Sequence, residues 1–384
     1  MKKFISLVLV AAMSLCMLVG CGGASSADAN TWKIGGIGPI TGGAAVYGIA
    51  VMNAGQIAID EINAAGGING FQIEYNFQDD ELDNEKSVNA YNTLKDWGMN
   101  ILMGTVTSGC CVAVSAEASK DNMFEITPSG SAVDCIDTND NCFQVCFTDP
   151  NQGIGAADYI ADNGVASNVA VIYDSSDVYS SGIYTKFAEE AAVKGLNIVS
   201  AEAFTADSKT DFSVQLQKAQ EAGADLVFLP IYYTEASLIL TQAASAGYSF
   251  KFFGCDGLDG ILGVENFDTS LAEGVMLLTP FAADATDAKT QAFVAEYQKR
   301  FGELPNQFAA DAYDAVYIIK AAIEAKGCKP ADGVSAICDA MRDAMQTISY
   351  DGLTGEGMSW DSNGAVNKAP KAMEIKGGEY KLIQ

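Results

Sequence analysis

Two α/β lobes, each a doubly wound parallel β-sheet, joined by a three-segment hinge: this is the fold that the sequence predicts. Three observations lead there. Short apolar runs alternate with helix-spaced stretches from residue 32 to residue 278, the rhythm of right-handed β-α-β crossovers. The rhythm restarts around Thr148-Asp149-Pro150-Asn151 on the same plan of strand, Tyr-bearing loop, helix, glycine and strand. Past Pro280 three helices follow one another. They cannot extend a strand-helix alternation, so they are assigned back to the first lobe, and the chain crosses again near Asp351.

The first unit opens with a strand over 32–37 and the loop GPITGGAAVYG. Ile49, Met52, Ile57, Ile59 and Ile62 predict a helix over 48–65, ended by Gly66-Gly67. The alternation of Phe71, Ile73, Tyr75 and Phe77 predicts a second strand. A helix over 87–97 and a strand over 100–103 come next. In the second unit the strand NVAVIY (168–173) leads through DSSDVYSSG to a helix over 183–194. Tyr179 stands there where Tyr47 stands in the first unit. Strands at 197–204, 225–230, 252–254 and 274–278 alternate with helices at 212–222 and 235–246. The three late helices span 290–301, 309–326 and 333–345, and MEIKGGEYKLI closes the chain as a hairpin.

Gly36-Ile37-Gly38 follows a strand, as a dinucleotide-binding loop does. However, position 41 is Thr, Pro39 occupies the tight turn, and the acids Asp79 and Asp80 come too late. No nucleotide cofactor is expected.

Composition narrows the function. The 384 residues contain no histidine, which excludes Ser-His-Asp and Cys-His catalysis and removes the commonest zinc ligand; no enzyme is expected. Lys2 and Lys3 precede an uncharged apolar run that ends Leu18-Val19-Gly20-Cys21. That ending resembles the lipobox of bacterial lipoproteins, which implies cleavage before Cys21, lipid on Cys21 and a position on the outer face of the cell membrane. Residues 22–30, GGASSADAN, then form a flexible tether reaching roughly 15–18 Å. Removing residues 1–20 leaves 364 residues and a charge of 20 − 49 = −29, which argues against nucleic acid or anionic membrane surfaces as partners. Eight cysteines remain beyond Cys16 and Cys21. With no C-x-x-C spacing, structural thiols or a local disulfide are expected, and no metal site.

The most chemically suggestive stretch begins GTVTSGCC at Gly104 and ends ITPSGSAV at Val133. Each half is a strand end opening into Thr, Ser and Gly, with a short helix between, predicted over 112–120. Hydroxyls, free backbone N–H groups and a helix start form a cradle for a small anion.

IGPITGGAAVYG from Ile37, DEINAAGGING from Asp60, ITPSGSA from Ile126 and SWDSNG from Ser359, together with the two-lobe junction, carry a resemblance over residues 32–384. The chain resembles the substrate-binding proteins of branched-chain-amino-acid ABC transporters, of the type I periplasmic-binding fold. The resemblance implies an amino-acid ligand whose carboxylate meets Ser108, Ser129 and Ser131, with the Ser129 carbonyl taking an ammonium proton. It implies that Tyr47 lines the cleft, Tyr179 and Tyr232 close over the ligand, Asp256 pairs with the ammonium, and Phe308 touches the ligand side chain. Asp256 is shorter than the Glu of the best-known relatives. The disulfide that some relatives carry is absent, because residues 79–85 hold no Cys.

The expected plan is thus a leader (1–20), a lipidated Cys21 with tether (21–31), a first lobe (32–149 and 281–350) and a second lobe (150–280 and 351–384). The function expected is capture of a branched-chain or other apolar amino acid by a monomer that delivers it to ABC permease subunits. The alternative is a sensor subunit of the same fold, presenting an amino acid or amide to a signalling receptor.

Overall fold

The computed structural model describes residues 30–137 and 139–383; the leader and Cys21 lie outside the described residues. The first sheet comprises β1 (Thr31–Gly38), β2 (Gln72–Asp79), β3 (Ile101–Gly104), β4 (Glu125–Thr127) and β5 (Cys142–Gln144). All are parallel, in the order β2-β1-β3-β4-β5. Its crossovers are α1 (Ala45–Ala64), α2 (Asn84–Trp97) and α3 (Ser108–Lys120). Side chains that alternate along a strand serve opposite faces. Ile101 and Met103 accordingly join the core formed with Val51, Ala54 and Ala58 of α1, while Leu102 joins Tyr91, Leu94 and Val114 of α2 and α3. A strand buried on both faces must be apolar throughout, and β3 is fully buried along its length.

The chain passes through α4 (Asp149–Asp162) into the second unit. Here come β6 (Asn168–Asp174), α5 (Val178–Lys194), β7 (Asn197–Phe204), α6 (Ser213–Glu221), β8 (Leu226–Leu229), α7 (Tyr233–Ser245), β9 (Lys251–Gly254) and β10 (Met276–Thr279). After α8 (Ala288–Phe301), α9 (Gln307–Lys326) and α10 (Val334–Met345), the hairpin β11 (Lys371–Lys376) and β12 (Glu379–Leu382) completes the seven-stranded sheet β12-β11-β10-β9-β8-β6-β7. The expected α/β fold of two sheet-based lobes is present. The second sheet is mixed rather than purely parallel, because β11 runs antiparallel to both β10 and β12.

Two differences from the sequence reading have physical causes. Helices begin earlier than periodicity predicts: α1 at Ala45, α3 at Ser108 and α5 at Val178. Their first turns carry Ser, Gly and polar residues, which favour helix starts without adding to an apolar stripe. For the same reason α4 goes unpredicted. Its Thr148 cap accepts from Asn151 N–H and Pro150 sits in the first turn, a good start for a helix that is then diluted by Gly153 and Gly155. The tail also divides. Trp360 Nε1 donates to the Gln144 carbonyl at 2.8 Å and Gln144 N–H to the Gly364 carbonyl at 2.9 Å. This part of 351–384 therefore lies on β5 of the first sheet, not on the second lobe.

The late helices do return to the first sheet. Helix α9 packs along α1, and Ala309, Ala312, Ala315 and Ala322 are all fully buried; such small side chains let two helices approach. Its acids Asp311 and Asp314 are also buried and meet the tail. Lys368 Nζ lies 2.7 Å from Asp311 with both side chains almost wholly enclosed, and it donates to Thr354 Oγ1 at 2.6 Å. Asp314 accepts from the Leu353 and Thr354 N–H groups and from the Thr354 hydroxyl. One lysine thus serves two buried carboxylates where the chain makes its last crossing. Lys368→Met leaves both acids without their cation, and a loss of about 3–5 kcal/mol of stability is expected, to be read from urea denaturation at neutral pH.

Candidate functional site

Parallel strands place the loops that follow them at one end of a sheet, and here those ends face each other. A small cavity lies between them. From the first lobe come Tyr47 in the first turn of α1, Val106 and Thr107 after β3, Ser108 opening α3, and Ser129 after β4. From the second come Tyr179 in the first turn of α5, Tyr232 capping α7, and Asp256 and Gly257 after β9. Phe308 stands in the first turn of α9. Seven of the eight predicted cleft residues meet around this one cavity; Ser131 does not line it.

The first-lobe wall is a donor surface. Ser108 Oγ accepts N–H bonds from Ser131 at 3.1 Å and Ala132 at 3.2 Å, so its own proton remains free to be donated. Ser131 supports Ser108 from behind through that bond, and its hydroxyl is buried without a partner. Thr107, the N-cap of α3, is extended and makes no side-chain cap; its buried hydroxyl has no hydrogen bond either. The opening N–H groups of α3 add the positive end of the helix dipole. Ser129 plays a different part from the one expected. Its hydroxyl donates to the Val106 carbonyl at 2.6 Å, which ties the two loops together and leaves only lone pairs to face a ligand.

The second-lobe wall is an acceptor. Asp256 is buried and, among the described residues, forms no ion pair with a lysine or arginine. Burial pushes its carboxyl up to about 7, against the pull of a Tyr179 hydrogen bond. Tyr179 Oη donates to Asp256 Oδ1 at 2.7 Å and accepts from Gly257 N–H at 3.0 Å. The loop is fixed from both sides: Asp256 N–H donates to Gln152 Oε1 and Gln307 Nε2 donates to the Asp256 carbonyl, each at 3.1 Å. Gly257 must be glycine, because a Cβ there would stand 2.6 Å from Tyr179 Oη and 2.7 Å from the Ile231 carbonyl oxygen.

Aromatic rings close the space between the walls. Tyr232 stacks on Tyr179 with centroids 5.0 Å apart, and Tyr47 lies 4.2 Å from Phe308 and 5.6 Å from Tyr232. Hydrogen bonds latch the lobes across the gap. Tyr47 Oη donates to the Gly257 carbonyl and accepts from Tyr233 N–H at 3.3 Å; Val46 N–H donates to Tyr233 Oη at 3.1 Å; and Thr234 Oγ1 donates to the Gly43 carbonyl. The enclosed volume is only about 10 Å³, near that of one water, whereas pockets for drug-sized ligands run to roughly 300–1,000 Å³. A small organic ligand enters only when the lobes part. Further out, a second cavity of about 230 Å³ shares Thr107 and Tyr232 and is bordered by Asp177, Lys209 and Glu235.

Sequence reasoning missed Thr107, Tyr233 and Gly257. A signal existed for one of them: Tyr232-Tyr233 is a tandem in which the first ring faces the cavity and the second makes the latch.

The sequence profile of the periplasmic binding proteins matches residues 31–379. The chain belongs to this family. A Leu/Ile/Val-binding protein homolog of Brucella melitensis is 30% identical over 356 residues, covering 90% of this chain and 93% of the relative. The branched-chain amino acid transporter binding protein LivJ of Streptococcus pneumoniae, solved with isoleucine, is 30% identical with a TM-score of 0.83, covering 91% of this chain and 98% of the other. A solute-binding protein from R. palustris, solved with benzoate, has a TM-score of 0.81 at 20% identity, covering 92% and 95%; that likeness concerns the fold alone. Members of this family bind solutes for ABC transporters, and the chain is a binding protein, not an enzyme.

The unpaired acid gives the site a pH signature. An ordinary Asp carboxyl titrates near 3.8 and that of Asp256 near 7 in the folded chain. Between those values the folded state keeps a proton that the unfolded state has lost, so this group lowers stability as pH rises through the window. Relative to wild type, Asp256→Asn is expected to gain stability above pH ~7 and to gain none below pH ~4, in urea denaturation of the ligand-free protein at each pH.

Proposed function

We propose that this periplasmic binding protein captures an apolar amino acid, branched-chain for preference, between its lobes and delivers it to an ABC permease while tethered by lipid at Cys21. The observation that carries this reading is the pairing of opposites across one cavity: a buried carboxylate without a cation on one wall, free hydroxyl and helix N–H donors on the other. A zwitterion supplies what each wall lacks. Its carboxylate meets Ser108, Thr107 and the start of α3, and its ammonium completes Asp256. The Ser129 lone pairs and carbonyl offer the ammonium further acceptors. The rings of Tyr47, Tyr179, Tyr232 and Phe308 are left for an apolar side chain. A simple carboxylic acid such as benzoate satisfies only the first wall and leaves Asp256 unpaired. The names borne by the Brucella relative and the pneumococcal structure agree with an aliphatic amino acid.

Binding then acts on an existing balance between open and closed lobes, stabilising the closed form that the permease engages. Calorimetric titration with leucine, isoleucine, valine and benzoate tests the ligand class. One of the three amino acids is expected to bind tightest, and a preference for benzoate would sink the proposal. Asp256→Ala is expected to weaken amino-acid binding by roughly 10²–10³-fold, and Ser129→Ala, which keeps its carbonyl, by less. The opposite order would reverse the roles given to these two residues. For the tether, Cys21→Ser is expected to move the protein from the membrane fraction to the soluble exported fraction. Unchanged membrane association of that variant would rule out the lipid anchor.

A further inference from the structure

Behind the cleft loops the first lobe encloses a second cluster, and nothing in ligand capture uses it. Glu125 on β4 and Cys142 on β5 are register partners in the parallel sheet, so their side chains leave the same face. Cys111, in the first turn of α3, brings its sulfur to 3.7 Å from Glu125 Oε1. One ligand atom from each of Cys111, Glu125 and Cys142 lies within 4.8 Å of the other two. Cys135 packs in the same cluster with Ala132 and Ile136, its sulfur 3.7 Å from the Ser108 carbonyl. Cys111, Glu125, Cys135 and Cys142 are all 0% exposed.

A set of buried cysteines needs no explanation beyond packing, because the thiol behaves as a small apolar group. Glu125 is the group that does not fit. It is a fully enclosed carboxyl with, among the described residues, no lysine or arginine paired to it, and its Oε2 has no hydrogen-bond partner at all. Removing a carboxylate from water costs several kcal/mol unless it takes a proton, the direction in which burial drives Glu125, or a cation balances it. A cation held jointly by sulfur and this carboxylate would balance it.

We propose that Cys111, Glu125 and Cys142 form a binding site for one Zn²⁺ ion, the fourth position going to Cys135, which packs beside them but stands outside that group and has to swing in. Zinc takes thiolates at about 2.3 Å and carboxylate oxygen at about 2.0–2.2 Å, which sets a tetrahedral S···O edge of about 3.5–3.7 Å. The Cys111–Glu125 separation already matches that edge, and Cys142 has only to draw in. Thiolate ligands select soft cations, and the added carboxylate favours Zn²⁺ over Cu⁺. The thiol protons leave to solvent as the ion binds. Because the site is sealed, the ion enters as the lobe folds. The expectation of no metal rested on the missing C-x-x-C spacing; here the ligands come from three separate segments that only the fold brings together. Once bound, the ion would staple β4, β5 and α3 directly under Gly130, where an added Cβ would stand 3.0 Å from Cys111 Sγ. The carboxylate-binding loop would then rest on a metal-braced floor.

The full-length protein, isolated and kept under reducing conditions, is refolded with Cd²⁺ as a spectroscopic substitute and titrated for thiolate-to-cadmium charge transfer. One Cd²⁺ per chain is expected, displaced by excess Zn²⁺, with the band lost in Cys142→Ser and in Cys111→Ser. Cd²⁺ affinity is expected to fall at least ~10-fold in Glu125→Gln, while Cys328→Ser, in a separate part of the lobe, leaves binding unchanged. Circular dichroism checks that each variant folds, and the Glu125→Gln result stands alone if a cysteine variant does not. Absence of stoichiometric Cd²⁺ or Zn²⁺ on the folded, reduced protein overturns the proposal. So does a Cys111–Cys142 disulfide found by peptide mapping of protein isolated without reductant, since the ligands would already be consumed.

Discussion

The parallel strands β1, β3, β4, β6, β8 and β9 all deliver their C-terminal ends to the same gap. A parallel sheet cannot reverse direction by a tight turn, so each strand must be followed by a loop and a returning helix. All the loops that change direction after β1, β3, β4, β6, β8 and β9 therefore collect at strand C-terminal ends. Facing two such ends toward each other makes the gap a region where backbone donors, helix starts and loop side chains converge without being used up by the sheets. Tyr47, Ser108 and Tyr179 all stand in first turns of the helices that follow such strands.

Within that frame the two walls differ in sign. The first lobe presents neutral donors, which tolerate an empty cavity because none carries a full charge. The second concentrates its demand in Asp256. A buried carboxylate without a cation is a poor element of a static structure, and burial raises its pKa, as it also does for Asp311 and Asp314. It suits a protein whose ligand brings the missing charge. The contrast with Asp311 and Asp314 is instructive. There the same buried acid chemistry is made permanent by Lys368 and Thr354, and the result is a seam of the fold instead of a site.

How much of this could be read from the chain depends on where each signal sits. Strands such as NVAVIY and helices such as α9 announce themselves because burial makes their residues apolar at fixed spacing. The strand-end loops were legible as a class, since Thr, Ser and Gly runs mark both halves of Gly104–Val133. What could not be read was which hydroxyl points where. Ser108, Ser129 and Ser131 look alike in sequence, yet one faces the cavity with its proton free, one spends its proton on Val106, and one stands behind. Helix α4 was hidden by its own glycines. The Cys111–Glu125–Cys142 cluster was hidden more thoroughly, because its proximity arises from the pairing of β4 with β5 and leaves no trace in spacing.

The latch around Tyr47 has a consequence for the motion of the lobes. All four hydrogen bonds that join Val46, Tyr47 and Gly43 to Gly257, Tyr233 and Thr234 are made between protein groups alone. The lobes therefore hold one another with a strength that owes nothing to cargo. That strength sets how far the balance between shut and parted lobes leans toward the shut form before any ligand arrives. A firmer grip shuts the lobes with nothing between them, and a slacker one leaves the ligand to supply more of the closing free energy.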